Sequence, residues 1–470
     1  MKARKFYHLV LPILCLPLLI GQGGGASAAE AGTASVAEPL RMPPRNSGDI
    51  TRLLAHYKPH PDLVARAVAV ADAQPPEGGD KAPLMDFYWQ RGRANGKLGR
   101  AEQQIADFRQ AAGLAEPGSV VHARILRDLA SAEATAGNLL SAAKASDEAA
   151  TILAAGAQNQ GSRLAALQAS TYFHFVLGDF STARSRLKEA ETVYERLRSS
   201  RAWNVWGNNW TAIIERARAE IFRAEGRYVE AEGAYRKALA ANERFVSEQA
   251  GSEQVLSFDR DTPERARHFS EIIQRTLAGA LIAQGKLAES EVYARRALQG
   301  ALERVGRDST DTALGLSTLA AIFSEQGRPA EAEKLAEEAL NSFRLSGASE
   351  DSIFTSNARK NLASAMVALG RYKEAIVVFE RNRDALKTNP ELWKKVGSGH
   401  LDWILAMLRT GNQKGAEGMA KAMYEWAEQR YGRADYRTAT SRGFYAMTLG
   451  ARGEHLQALG SIMGSGGMIV

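Results

Sequence analysis

The sequence predicts an all-α fold, a stack of about nine helical hairpins, and three regularities lead to it. Gly99, Gly137, Gly178, Gly226, Gly285, Gly327, Gly370, Gly411 and Gly453 each follow an amphipathic stretch. Alanine stands five residues after seven of them, at Ala142, Ala183, Ala231, Ala332, Ala375, Ala416 and Ala458. Seven residues before each glycine the chain places Gly92, Ala130, Thr171, Ala219, Ala278, Ala320, Ala363, Ile404 and Ala446, and Ala111, Ala149, Ala190, Ala238, Ala297 and Ala339 stand twelve after it. A glycine in this setting is where one helix stops and the chain reverses, a place that favours positive φ. Small residues on both flanks mark where paired helices cross, letting their axes approach to about 8 Å. Bulky Phe222, Leu281, Phe323 and Met366, four before the glycine, fill the space between hairpins. A chain of 470 residues would otherwise suggest about three domains. Hairpins that bury their apolar faces only against neighbours make one elongated array instead.

The first element is a leader. Lys2, Arg4 and Lys5 precede the 15-residue apolar run Phe6 to Ile20, and Ala26-Ser27-Ala28 closes a small-residue stretch. Positive head, apolar core and Ala-x-Ala in that order predict a secretory signal over 1–28. The product is then exported, periplasmic or extracellular in a bacterium. The apolar run is short for a membrane span, and Pro12 and Pro17 interrupt it, so no stable membrane insertion is expected after cleavage. Cys15, the only cysteine, lies inside this leader behind Leu14, where a lipoprotein signal wants a small residue. The mature chain is therefore expected to lack disulfides, cysteine nucleophiles and thiolate metal sites. Cleavage lowers the formal charge from +7 to +4, too mild and dispersed to argue for nucleic acid. The hydrophobic fraction of 45% and mean hydropathy of -0.29 are those of a soluble protein.

Residues 29–84 read as a flexible tether with Pro43 and Pro44, followed by two short helices. One starts near Ser47, a good N-cap, and stops before Pro59; the other runs from about Pro61 to Ala73 and ends at Pro75-Pro76. Residues 85–245 hold repeats 1–4. Residues 246–270 are an inserted loop, Val246 to Asp261, and a helix start at Thr262-Pro263-Glu264, with threonine as N-cap and proline in the first turn. The insertion could hinge the array into two halves, contact a partner or be tolerated slack. Residues 271–470 hold repeats 5–9, the last incomplete, because the chain stops inside what should be its second helix.

The offsets of glycine and small residues resemble the tetratricopeptide repeat (TPR). Gly226-Arg-Tyr-Val-Glu-Ala-Glu-Gly-Ala-Tyr-Arg-Lys-Ala-Leu and Gly370-Arg-Tyr-Lys-Glu-Ala-Ile-Val-Val-Phe-Glu are close matches. The resemblance covers about 85 to 462 and implies a right-handed superhelical solenoid of about nine TPR-like hairpins. Glycine spacings of 38, 41, 48, 59, 42, 43, 41 and 42 mostly exceed the usual ~34, which resembles the kinesin-light-chain-like variant. Leader, helical lead-in and long spacing together also resemble the TPR half of exported bacterial TPR–CHAT proteins, which carry a caspase-like domain after the repeats. No such domain follows the ninth repeat in this sequence, so the chain reads either as a stand-alone array or as a truncated frame.

No arrangement predicts catalysis, a cofactor or a metal. The chain has no Gly-x-Ser-x-Gly elbow, no phosphate-binding glycine loop ending in Lys-Ser/Thr, and no His-Glu-x-x-His. His56 and His60 have ligand spacing, but Pro59 breaks the helix that would align them. The candidate surface is instead the concave face made by the first helix of each hairpin. Offsets of thirteen, ten, six and three before each glycine select Asp86, Trp89, Arg93, Arg124, Arg127, Gln168, Tyr172, Phe175, Arg216, Glu220, Arg223, Arg275, Asn357 and Lys360. Arginine outnumbers acid in this set, which favours an extended peptide or protein segment with acidic residues or a free carboxylate. The alternative is that these residues form ordinary solvated helix faces. Trp203, Trp206 and Trp210 form either an aromatic recognition patch or an extension of the hairpin core. The resulting expectation is a non-enzymatic exported scaffold. The competing readings are the substrate-recognition or sensor half of a TPR–CHAT peptidase system and a small-molecule site at the tryptophans.

Overall fold

All nine repeat glycines adopt φ between +70° and +90° in the computed structural model, and no non-glycine residue among those described has positive φ. The structure describes residues 50, 54–56, 58–59, 61–78, 80–156, 159–258, 262–387 and 400–463. The expected signal peptide, 1–28, and most of the tether lie outside the described residues. Among those described there is no strand.

A lead-in helix, α1 (Pro61–Ala71), precedes the array. The first hairpins pair α2 (Lys81–Lys97) with α3 (Ala101–Leu114), and α4 (Val120–Thr135) with α5 (Leu139–Ile152). Next come α6 (Gln160–Val176) with α7 (Phe180–Arg198), and α8 (Trp203–Ala224) with α9 (Tyr228–Glu248). The short α10 (Glu253–Phe258) follows. Then α11 (Thr262–Ile282) pairs with α12 (Leu287–Val305), and α13 (Thr310–Glu325) with α14 (Pro329–Leu345). The last hairpins are α15 (Ile353–Ala368) with α16 (Tyr372–Lys387), α17 (Leu401–Arg409) with α18 (Gln413–Tyr431), and α19 (Tyr436–Ala451) with α20 (His455–Met463). This is an all-α solenoid of helical hairpins.

Each turn is closed by the bond its sequence prepares. The N–H after the glycine donates back to the carbonyl of the bulky residue four before it: Arg227 to Phe222, Lys286 to Leu281, Arg328 to Phe323 and Arg371 to Met366, at 2.8–3.0 Å. That pattern satisfies carbonyls the helix end would otherwise leave open. The small-residue rule is a packing rule. Ala142, Ala183, Ala231, Ala332, Ala375 and Ala416 are all fully buried. Where the sequence departs at Gly285, Ser290 takes the alanine place and its hydroxyl donates to the Ala278 carbonyl at 2.8 Å. Side chains of Ser119, Ser309, Ser352 and Asp435 cap the starts of α4, α13, α15 and α19.

The irregular spacings have two structural sources. The tryptophan-rich segment is the start of α8, which with α9 reaches 22 and 21 residues, longer than the hairpins on either side. The segment expected as an open loop after Val246 is mostly helical over its described residues, because α9 runs on to Glu248 and α10 follows. Phe245, Ala250, Val255 and Ala266 give it a small core of its own.

The array also folds back on itself. A Cβ on Gly99 would meet the Asp308 carbonyl oxygen at 3.2 Å, and one on Gly137 would overlap Ser352. The amide of Ala101 donates to the Ser346 carbonyl at 3.2 Å. Phe180 lies 6.2 Å from the Tyr431 ring, and the Tyr228 and Tyr436 hydroxyls share a 2.6 Å hydrogen bond. Hairpin turns of the first four repeats thus rest against junctions between later ones. Ile353 and Leu386 accordingly join the core of the early repeats.

Candidate functional site

Residues of α2, α4, α6, α8, α11, α13 and α15 line a common groove of about 990 Å³. Seven first helices therefore contribute, as a hairpin stack requires. The groove brings together Trp89, Arg93, Arg124, Arg127, Gln168, Tyr172, Arg216 and Arg275 from the offset-selected set, with Trp206 and Trp210 from the aromatic segment. Among its described lining residues are seven arginines and two aspartates.

Both aspartates are already engaged. Asp128 accepts from the Trp89 indole at 2.8 Å and from Arg93 at 3.0 and 3.1 Å, while the Arg93 guanidinium stacks on the Trp89 ring. Asp311 accepts from Arg304 at 2.6 Å and faces the His268 imidazole at 3.3 Å. Burial would raise the Asp311 pKa, but the charges of His268 and Arg304 outweigh it and hold the carboxyl well below its usual range. Arg304 also donates to Glu271 at 2.8 Å, so one guanidinium neutralises two acids. Arginines thus outnumber acids in the described lining by seven to two, which sets the sign of the potential in the groove.

Its floor is aromatic. Arg216 is buried between the Tyr172 and Phe269 rings, 5.0 and 5.5 Å from their centroids. Glu220 stands 3.9 Å from it but is hydrogen-bonded to Arg223 at 2.9 Å. Burial pushes the Arg275 pKa down and the nearby Arg216 charge lowers it further, against the opposing pull of Tyr172, Asp311 and Glu271.

Seven of the selected residues lie outside the groove lining, Asp86 and Phe175 among them. Glu220 is fully buried, and Arg223, tied to it, stacks on Phe175 at 4.8 Å. Asn357 is exposed away from the groove, and burial lowers the ammonium pKa of Lys360, which stands near His400 rather than the groove. Trp203 packs between Tyr194 and Trp210, at 5.6 and 6.1 Å, so that ring extends the hairpin core. The reason is a drift in register. In repeats 1 and 2 the lining reaches into the C-terminal halves of the first helices, at Arg93, Ser131 and Thr135. In repeats 5 to 7 it comes mainly from their N-terminal halves, at Arg265, His268, Phe269, Asp311 and Phe354, with Arg275 beyond the middle of α11. A groove crossing successive helices obliquely cannot be read with one fixed offset. The missed residues sit sixteen to twenty before their glycines, a periodicity visible only once the crossing is known.

Residues 86–117 and 269–345 match tetratricopeptide-repeat family models. These two segments of the chain are tetratricopeptide repeats. No curated protein matches the chain at the level of sequence. The TPR array is similar to the crystal structure of BtubC (BKLC) from P. vanneervenii, at 19% identity and a TM-score of 0.37, covering 54% of this chain and 91% of that one. It is also similar to a Rap protein complexed with competence and sporulation factor, at 11% identity and a TM-score of 0.47, covering 88% of this chain and 98% of that one. Among the described residues of the TPR array, no cluster of three metal-ligating side chains occurs, and no helix is long and apolar enough to cross a membrane.

Proposed function

We propose that this TPR-containing protein is a non-enzymatic, exported scaffold that seats a peptide or protein segment in the arginine-lined groove, favouring acidic residues or a free carboxylate. One observation carries the reading: among the described residues seven arginines line the groove against two aspartates. An extended acidic segment would meet guanidiniums from successive hairpins and aromatic rings beneath them. Arg124 and Arg127 are half-buried on α4, so reversing their charge tests the groove without disturbing the core. The Arg124→Glu/Arg127→Glu variant should bind a fluorescent Glu-rich peptide at least about tenfold more weakly, with a flatter salt dependence. Unchanged anisotropy titrations would refute the assignment. Export belongs to the same proposal and predicts a mature N-terminus at Ala29, read by N-terminal sequencing. A recognition role beside a caspase-like CHAT protease is the second reading, carried by the leader and the long repeats, and predicts co-purification with such a protease.

A further inference from the structure

Four hydrogen-bond donor side chains line the groove floor, and one acid near them, Glu220, stands 3.9 Å from Arg216. Gln168 and Tyr172 lie one turn apart on α6, Arg216 on α8 and Arg275 on α11, and all four line the cavity. Gln168 is 5% exposed and Arg216 6% exposed. The Gln168 Nε2 and the Arg216 Nε are buried without a hydrogen-bond partner. Tyr172 makes ring contacts with Phe173 and Arg216, and its hydroxyl has no hydrogen bond among the described residues. Arg275 has neither an ion pair nor a hydrogen bond among them.

Buried polar groups are ordinarily satisfied, and buried charges paired. Gln168 and Arg216 break these rules, and although the Glu220 Oε1 near Arg216 is also without a hydrogen-bond partner, the charge balance of the cluster stays positive. The acids within reach are shared: Glu220 accepts from Arg223 through one oxygen and stands 3.9 Å from Arg216 through the other, and Asp311 and Glu271 both accept from Arg304. A single carboxylate brings one charge, which cannot neutralise two guanidiniums that repel each other. A phosphate monoester brings nearly two charges and three strong acceptor oxygens, enough for both arginines and the two neutral donors.

We infer that Gln168, Tyr172, Arg216 and Arg275 form a subsite for a phosphate monoester carried on the segment bound in the groove. The inference rests on the groove being the binding site, and adds what the bound segment carries at this point.

The test uses the purified chain and tryptophan emission, since Trp206 and Trp210 line the same cavity. Two Glu-containing peptides, identical but for serine or phosphoserine, are titrated beside inorganic phosphate and acetate. The phosphoserine peptide should bind roughly ten- to a hundredfold more tightly than its serine twin, and phosphate should compete where acetate does not. Arg275→Gln should erase that preference, bringing the phosphoserine peptide down to the affinity of its serine twin. It should also keep or raise thermal stability without ligand, because it removes a half-buried charge that has no ion pair among the described residues. Equal affinity for the two peptides, or equal competition by acetate, overturns the phosphate subsite and leaves the acidic groove standing. Free phosphate binding as tightly as the phosphopeptide overturns the peptide-borne source. Failure of both peptides overturns the subsite together with the groove.

Discussion

Two glycines with the same backbone task should respond differently to one methyl group. Gly137 and Gly370 both reverse a hairpin, at φ of +90° and +79°. Alanine at either site must hold a conformation costing an L-residue about 1–2 kcal/mol, offset in part by the lower chain entropy of the unfolded state, about 0.4–1 kcal/mol. A Cβ on Gly370 meets nothing within 4 Å, so Gly370→Ala should cost only that difference, about 1 kcal/mol. A Cβ on Gly137 would overlap the Ser352 Cβ and Oγ. Ser352 cannot swing away easily. It is buried, and as N-cap of α15 its hydroxyl accepts from the Thr355 amide at 3.1 Å and donates to the Thr355 hydroxyl at 2.9 Å. Gly137→Ala should therefore lose a further ~1–3 kcal/mol. Ser352→Gly removes the obstacle at little cost to the cap, so the double variant should recover most of that increment as a coupling of about 0.5–3 kcal/mol. Urea unfolding followed by circular dichroism measures all four, with slopes compared because repeat arrays can unfold in stages. Equal losses for Gly137→Ala and Gly370→Ala, or no recovery with Ser352→Gly, would refute the fold-back contact as an energetic feature.

Other perturbations follow from packing and charge. Ala332 is fully buried where α13 and α14 cross, so Ala332→Leu should cost about 1–3 kcal/mol, read as a lower urea midpoint. Asp311 titrates below its ordinary range in the folded state, so its ionised form stabilises the fold at neutral pH and that contribution is lost as pH falls through and beneath the normal carboxylate pKa. Asp311→Asn should be less stable at pH 7 yet show a shallower decline below about pH 4 in thermal melts.

The sequence made the hairpins readable because turn and crossing impose strict local requirements. A positive-φ turn admits glycine, and a close helix crossing admits alanine, so both leave residue-level marks at fixed offsets. The groove was legible in repeats 1 to 3, where those offsets select Trp89, Arg93, Arg124, Arg127, Gln168 and Tyr172. It thinned to Arg216 and Arg275 in repeats 4 and 5 and failed beyond them, because lining depends on how each hairpin is rotated relative to the last, which no single repeat encodes. Glu220 shows the cost of that blind spot: its spacing suits the concave face, yet it is enclosed beside Arg223. The commitment of Asp128 and Asp311 to cations inside the groove was equally invisible, since Trp89 and His268 are distant in sequence from their partners.

The resting of early turns on later junctions limits how this lineage can change length. In an open stack a unit can be duplicated or deleted anywhere, since each meets only its two neighbours. Here Gly99 is matched to Asp308 and Ser309, Gly137 to Ser352 and Tyr228 to Tyr436. Inserting one hairpin between the members of such a pair would slide every later junction past its seat by a whole unit. Growth is therefore tolerated at the two extremities, while the interior count is locked like the teeth of meshed gears.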